Sequence, residues 1–180
     1  MTEVFSPQQL SMDGQSAYQR GDYLAAAEAY HAAVRGYEAS GEILTAAEMR
    51  NNLSVVLNRA GDTQAALSAV DGTPAIFAGA RDLRRQGIAL GNLASALETL
   101  KRFPEAVQAY EQASDLLGQC GESDLRAHVL KSLSMLRLRS GRSLEALVTM
   151  QSGLESLPRP TIPQRILKRL MQILSRSLPK

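Results

Sequence analysis

An all-α fold, a right-handed superhelix of four stacked helix pairs followed by a C-terminal helix, is what three features of this 180-residue sequence predict. The first is a fixed period: Ala26, Ala66, Ala106 and Ala146 stand 40 residues apart, and Leu53, Leu93 and Leu133 form a second series at the same spacing. A constant repeat of this length means stacked copies of one small unit, each unable to bury its apolar face alone. The second is punctuation, with Gly21, Gly61 and Gly141 in one slot and Lys101 in the vacant place, each followed by turn or cap residues such as Asp22 and Asp62. The third is composition: hydrophobic residues make up 44% of the chain and aromatics 4%, Trp is absent, and Ala and Leu abound while β-branched runs are missing. Small aliphatic side chains on helices therefore build the core, and no strands are expected.

Each element has its own justification. Ser6 caps the first helix, Pro7 suits its first turn, Gln9 completes a capping box, and the helix ends near Gly21. A second helix runs from about Asp22 to Ser40, with Leu24, Ala27, Tyr30, Ala33, Val34 and Tyr37 at helical spacing. Copy two repeats this from about Glu42, but Pro74 falls inside its second helix, removing a backbone donor and clashing with the preceding turn. A kink or a fresh start with Thr73 as cap is expected, and Phe77, 40 residues after Tyr37, keeps the register. The copies span about 6–41, 42–80, 81–120 and 121–157 within a repeat region 1–157; residues 158–163 form a proline-rich connector and 164–180 a basic amphipathic helix. Thr161 and Gln164 form a second capping box opening that last helix.

Composition also narrows the function. The single cysteine, Cys120, cannot form an internal disulfide, and no metal-ligand cluster or glycine-rich phosphate loop is present. His31 and His128 lie on different copies without a partnered carboxylate or nucleophile, so they read as surface or groove residues and the protein as a non-enzyme without cofactor or small-molecule substrate. No apolar run approaches the roughly 20 residues of a membrane-spanning helix. The first ten residues lack the pattern of a signal peptide, so a cytoplasmic protein is expected. Charge is uneven: six cations and no acid follow Glu155, which leaves about −4 of the total of +2 on residues 1–155.

The residues also carry a likeness. A small residue and a large one in the first helix, a turn glycine, then Ala, an aromatic and Ala in the second, as in Gly14, Gly21, Tyr23, Ala26, Tyr30 and Ala33, make each copy resemble a tetratricopeptide repeat. Copy three gives Leu93, Ala94, Leu97, Phe103, Ala106, Tyr110 and Ala113. The common repeat is about 34 residues; the longer form here resembles those of kinesin light chains and Leu-Gly-Asn-type adaptors. Asn51-Asn52-Leu53-Ser54 and Gly91-Asn92-Leu93-Ala94 look like their Asn-Asn-Leu signature, while Met12 and Ser132 fill that slot in copies one and four. The resemblance implies a protein-interaction adaptor that holds a partner's extended peptide or helix on a concave face lined by first helices.

On that face the register places Gln15, Tyr18, Asn51, Asn52, Asn58, Asn92, Ser95, Glu98, Lys131 and Met135. Amides both donate and accept, so Asn52 and Asn92 suit the backbone of an extended guest; alternatively they bond a neighbouring helix. The face lacks the dense Lys and Arg of clamps that grip a C-terminal carboxylate, which disfavours a chaperone tail as partner. A structural role is the competing reading: a homodimer formed through the repeats or the end helix, burying Tyr18, Asn52 and Asn92. In the tail, Ile162, Ile166, Leu170, Ile173, Leu174 and Leu178 form an apolar stripe that covers the exposed side of the last repeat. Its basic residues Arg165, Lys168, Arg169 and Arg176 alternatively serve an acidic protein, nucleic acid or membrane surface, of which nucleic acid and membrane are disfavoured.

Overall fold

The computed structural model describes residues 5–159 and 161–177, with the side chains of Lys168 and of residues 171–177 outside that description. Among the described residues there are ten α-helices and no strand. They are α1 Pro7–Gln19, α2 Tyr23–Ala39, α3 Ile43–Ala60, α4 Thr63–Val70, α5 Thr73–Gly79, α6 Leu83–Thr99, α7 Phe103–Gln119, α8 Ser123–Arg139, α9 Ser143–Ser156 and α10 Ile162–Ser177. Apart from α4 and α5, which pack on α3 and α6, each helix packs on its sequence neighbour, α1 on α2, α6 on α7, α8 on α9, and the pairs stack in chain order. The second pair is α3 with α4 and α5 together.

The turns are more regular than the 40-residue spacing reveals. Backbone φ is positive at Gly21, Gly41, Gly61, Arg81, Lys101, Gly121 and Gly141, one left-handed residue every 20 positions. At each, the amide of the next residue donates across the turn to a carbonyl five residues back: Asp22 to Ala17 (3.0 Å), Glu42 to Tyr37 (2.8 Å), Asp82 to Phe77 (3.0 Å), Arg142 to Arg137 (2.9 Å). This closes the carbonyls left unpaired at the helix end and sets the reversal into the next helix. Glycine takes the left-handed conformation without steric cost; Arg81 (φ 57°) and Lys101 (φ 61°) adopt it with a Cβ.

Several helix starts use one of two side-chain devices. The carboxylates of Asp22, Asp62 and Asp82 accept from the amides of Ala25, Ala65 and Arg85 at 2.9–3.1 Å. The second helices of copies three and four have Arg102 and Arg142 at this position instead, and these guanidiniums bind Glu105 and Glu145 in the first turn. Ser6 caps α1 by accepting from the Gln9 amide at 3.1 Å, but the Gln9 side chain donates to Asp13 rather than back to Ser6, so half of the expected capping box is made.

Pro74 breaks the second helix of copy two, as its chemistry requires. The cap of the fresh start is Gly72 (φ 76°) and not Thr73, which begins α5 and is fully buried. The freed carbonyls are recaptured by side chains. Arg50 of α3 donates to the carbonyls of Ala69 (3.1 Å) and Asp71 (2.8 Å), and the Thr73 hydroxyl is shared between the Val70 carbonyl (2.8 Å) and Asn51 Oδ1 (3.0 Å). Phe77 remains in register and fully buried.

The core follows the period. Ala26, Ala66 and Ala106 have no exposed surface and Ala146 almost none, so backbones meet where these small residues stand. Large partners fill the space beside them: the Tyr30 ring lies so close to Gly14 that a Cβ there would sit 3.1 Å from it, and Tyr37, Phe77 and Leu117 share one buried slot. Burying a side chain of that size contributes about 1.5–3 kcal/mol.

The array ends differently. α9 ends at Ser156, where Leu157 is extended and Pro158 stops the helix three residues short of the register. The amide of Thr161 donates to Gln164 Oε1 at 2.7 Å and opens α10. α10 closes the end of the array along one edge, where Gln164 and Leu167 meet α8 and α9. The expectation that the apolar stripe lies on the last repeat is corrected at Ile162, Ile166 and Leu170, which are 65%, 56% and 53% exposed. Ile173, Leu174 and Leu178 fall outside the described side chains.

Candidate functional site

Because every turn repeats after 20 residues, α1, α3, α6 and α8 are equivalent first helices, and residues 40 apart on them form rows across the array. Between α3, α6 and α8 lies a cleft of about 260 Å³. Val55, Asn58 and Arg59 come from α3, Ile88, Asn92 and Ser95 from α6, and Leu125, His128 and Ser132 from α8. Tyr110 reaches its floor from the second helix α7. A second cleft of about 430 Å³ continues along α6 and α8 past Glu98, Lys131, Met135 and Arg139. Ser95, Tyr110, His128 and Ser132 belong to both, so the two are parts of one groove.

The polar groups inside it are tied together. Asn58 donates to the Ser95 hydroxyl at 3.2 Å and accepts from Thr63 at 3.2 Å, which fixes the amide and links copy two to copy three. The Tyr110 hydroxyl donates to Glu98 Oε2 at 2.9 Å, and Arg139 of α8 pairs with the other oxygen of that carboxylate. Burial holds the Tyr110 hydroxyl above the ordinary phenol range against the lowering effect of Ser132 and Ser95, so it stays a neutral donor. With Glu98 neutralised by Arg139, the exposed cations Lys131 and Arg59 and the exposed ring of His128 face the groove. What remains is a trough of amides and hydroxyls with apolar patches, groups that can both donate and accept hydrogen bonds.

Of the residues the sequence placed on the concave face, Asn58, Asn92, Ser95, Glu98, Lys131 and Met135 line the groove. Asn51 does not. It is buried, 5% exposed, and its oxygen meets the Thr73 hydroxyl, because the break before α5 folds Thr73 over it. Asn52 is half-buried, Gln15 is exposed and Tyr18 stacks at a tilt on Tyr23, 5.9 Å between centroids; none of the three lines either cleft. Of the basic patch, Arg165 and Arg169 are exposed, while the side chains of Lys168 and Arg176 lie outside the description. Sequence reasoning missed Tyr110, read only as the large partner of Ala106, and Ser132 and Arg139; Ser132 was visible as the occupant of the slot of Asn52 and Asn92. Cys120 ends α7 at the surface. Among the described residues no group of three or more His, Cys, Asp or Glu is placed to hold a metal ion, and no helix is long and apolar enough to cross a membrane.

Stacked helix pairs with an open polar groove define a generally non-catalytic class, the α-helical repeat scaffold for protein interaction. The chain belongs to the tetratricopeptide-repeat family: one family model of that name matches residues 12–81 and a second matches 85–159. Among solved structures it is similar to the nearly identical TPR-like repeats of a Podosopora anserina protein assigned as a kinesin light chain, with TM-score 0.75, 18% identity, and 97% of this chain and 90% of that one covered. A single-substitution variant of the same repeats gives TM-score 0.75 at 17% identity, covering 97% and 91%. MamA protein gives TM-score 0.50 at 17% identity, covering 83% and 91%. At these identities the likeness is one of fold. No curated protein sequence matches the chain significantly.

Proposed function

We propose that the protein is an adaptor whose groove along α3, α6 and α8 captures an extended peptide or a helix of a partner protein. The observation that carries this reading is the continuity of the two clefts through Ser95, Tyr110, His128 and Ser132, which makes a trough running across copies two to four. Backbone groups of an extended guest need donors and acceptors at intervals, and Asn92, Ser95 and Ser132 present them on successive turns and helices. The occupant is a protein segment, held without cofactor or small-molecule substrate.

The test is calorimetry with a partner recovered by affinity capture. Asn92→Ala should weaken binding by about 1–3 kcal/mol, the cost of leaving a buried peptide group unpaired. Tyr110→Phe keeps the ring and removes the hydroxyl that orders Glu98, and should also weaken binding. Unchanged affinity in both, with the melting temperature of Asn92→Ala unaltered, moves the binding surface out of the groove.

A further inference from the structure

We propose that α10 is an interfacial anchor that lays its Ile162–Ile166–Leu170 stripe on an anionic lipid bilayer, a second binding function separate from the groove. Three large aliphatic side chains, one turn apart on a single helix and each more than half exposed, form a continuous apolar row that the repeats leave uncovered. The row cannot simply fold back as a fifth first helix. α9 stops at Ser156, three residues short of the register, with Leu157 extended and Pro158 following, so the chain leaves the last helix pair differently from the earlier ones. In the 40-residue register Arg169 falls where Val129 and Ala89 are buried, so a helix seated in that slot would drive a guanidinium into the core.

Charge selects the occupant. Arg165 and Arg169, both exposed, stand one turn apart beside the apolar row, a basic rim able to snorkel while the aliphatics enter the headgroup boundary. From Ser156 onward the sequence carries six cations and no acid. A second copy docking stripe to stripe would bring two such tails together. Nucleic acid offers nothing to the aliphatic row, and no aromatic follows Tyr110 to stack on bases. A surface of anionic headgroups over hydrocarbon satisfies both rows at once and demands no shaped pocket. The helix, 16 residues and so about 24 Å long, lies in the plane of such a surface and does not span it.

The experiment uses the full chain and vesicles of phosphatidylcholine alone or mixed with phosphatidylserine. The protein has no Trp, so Ile166→Trp gives a single reporter on the stripe. Its emission should shift to the blue on phosphatidylserine vesicles and stay unshifted on phosphatidylcholine, with the shift reversed by high salt. In flotation, Arg165→Gln with Arg169→Gln should partition about 30-fold more weakly, the fold-change of two cations at about 1 kcal/mol each near an anionic surface. Ile166→Ser with Leu170→Ser should lose binding with the far-UV circular dichroism kept. No flotation with phosphatidylserine, or equal flotation on neutral vesicles, overturns the proposal. So does a dimer in light scattering that Ile166→Ser with Leu170→Ser dissolves, or salt-sensitive capture of an acidic protein that persists in that variant.

Discussion

Thr73 holds the repaired break in copy two, and its removal has a computable cost. Thr73→Val keeps the shape and deletes one hydroxyl, which serves two acceptors: the Val70 carbonyl at 2.8 Å and the Asn51 amide oxygen at 3.0 Å. Thr73 has no exposed surface and Asn51 only 5%, so water cannot replace the lost partner. A buried polar group left unpaired costs about 1–3 kcal/mol, and a loss of about 2 kcal/mol is expected for Thr73→Val. For a chain of this length that lowers the melting temperature by roughly 4–8 °C. Asn51→Leu should cost less, because the Thr73 hydroxyl keeps the Val70 carbonyl as its acceptor, and the double variant should cost less than the two singles together, because each single change removes the other residue's partner. Urea denaturation followed by circular dichroism gives all four corners of the cycle. Strict additivity, or a Thr73→Val protein that unfolds with the parent, would refute the argument that this hydroxyl bridges the break.

Three further outcomes follow from other parts of the fold. Ala106→Leu, at a site with no free surface, should overpack α6 against α7 and lower stability by about 1–3 kcal/mol, read as a lower melting temperature. Lys101→Gly should raise stability by about 0.5–1 kcal/mol, since a left-handed residue with a Cβ costs about 1–2 kcal/mol and glycine's extra freedom when unfolded returns part of it; an unchanged urea midpoint would count against the strain. The Arg85 amide, then its guanidinium, holds the Asp82 carboxyl below the usual carboxylate range. A lowered folded value means stability present above the unfolded value and lost as pH falls through the folded one. The gap between parent and Asp82→Ala, about 0.5–2 kcal/mol at neutral pH for a helix cap, should therefore close below about pH 4.

The alanine series was enough to read the helix pairs and the core contact at Ala26, Ala66, Ala106 and Ala146, because a backbone contact tolerates only a small residue and so leaves a mark at one spacing. The halved period was present in the letters as Gly41 and Gly121, but Arg81 and Lys101 hide it, since the turn's hydrogen bond is made by backbone and needs no particular side chain. Asn51 failed for a related reason. Its place between Arg50 and Asn52 on α3 says which way it points relative to them, but whether that direction is groove or core depends on Thr73, 22 residues away beyond an irregular turn. Tyr110 was legible as bulk and not as a hydroxyl in the groove floor, because its reach across to Glu98 depends on how far α6 and α7 interpenetrate. At α10 the amphipathic pattern was plain, and what it did not reveal was how little of the apolar row the repeats would cover.

The evenly spaced left-handed residues give the chain a parity. The helices that begin copies and those that end them reverse direction at identical joints, and the groove is lined mainly by those that begin copies. A duplication or loss of 20 residues would leave every joint well formed yet exchange the two ranks downstream, turning groove-lining side chains to the outside and outer ones inward. A change of 40 would lengthen or shorten the trough and leave its lining intact. The joints thus permit growth in single helices, while the groove restricts viable growth to pairs.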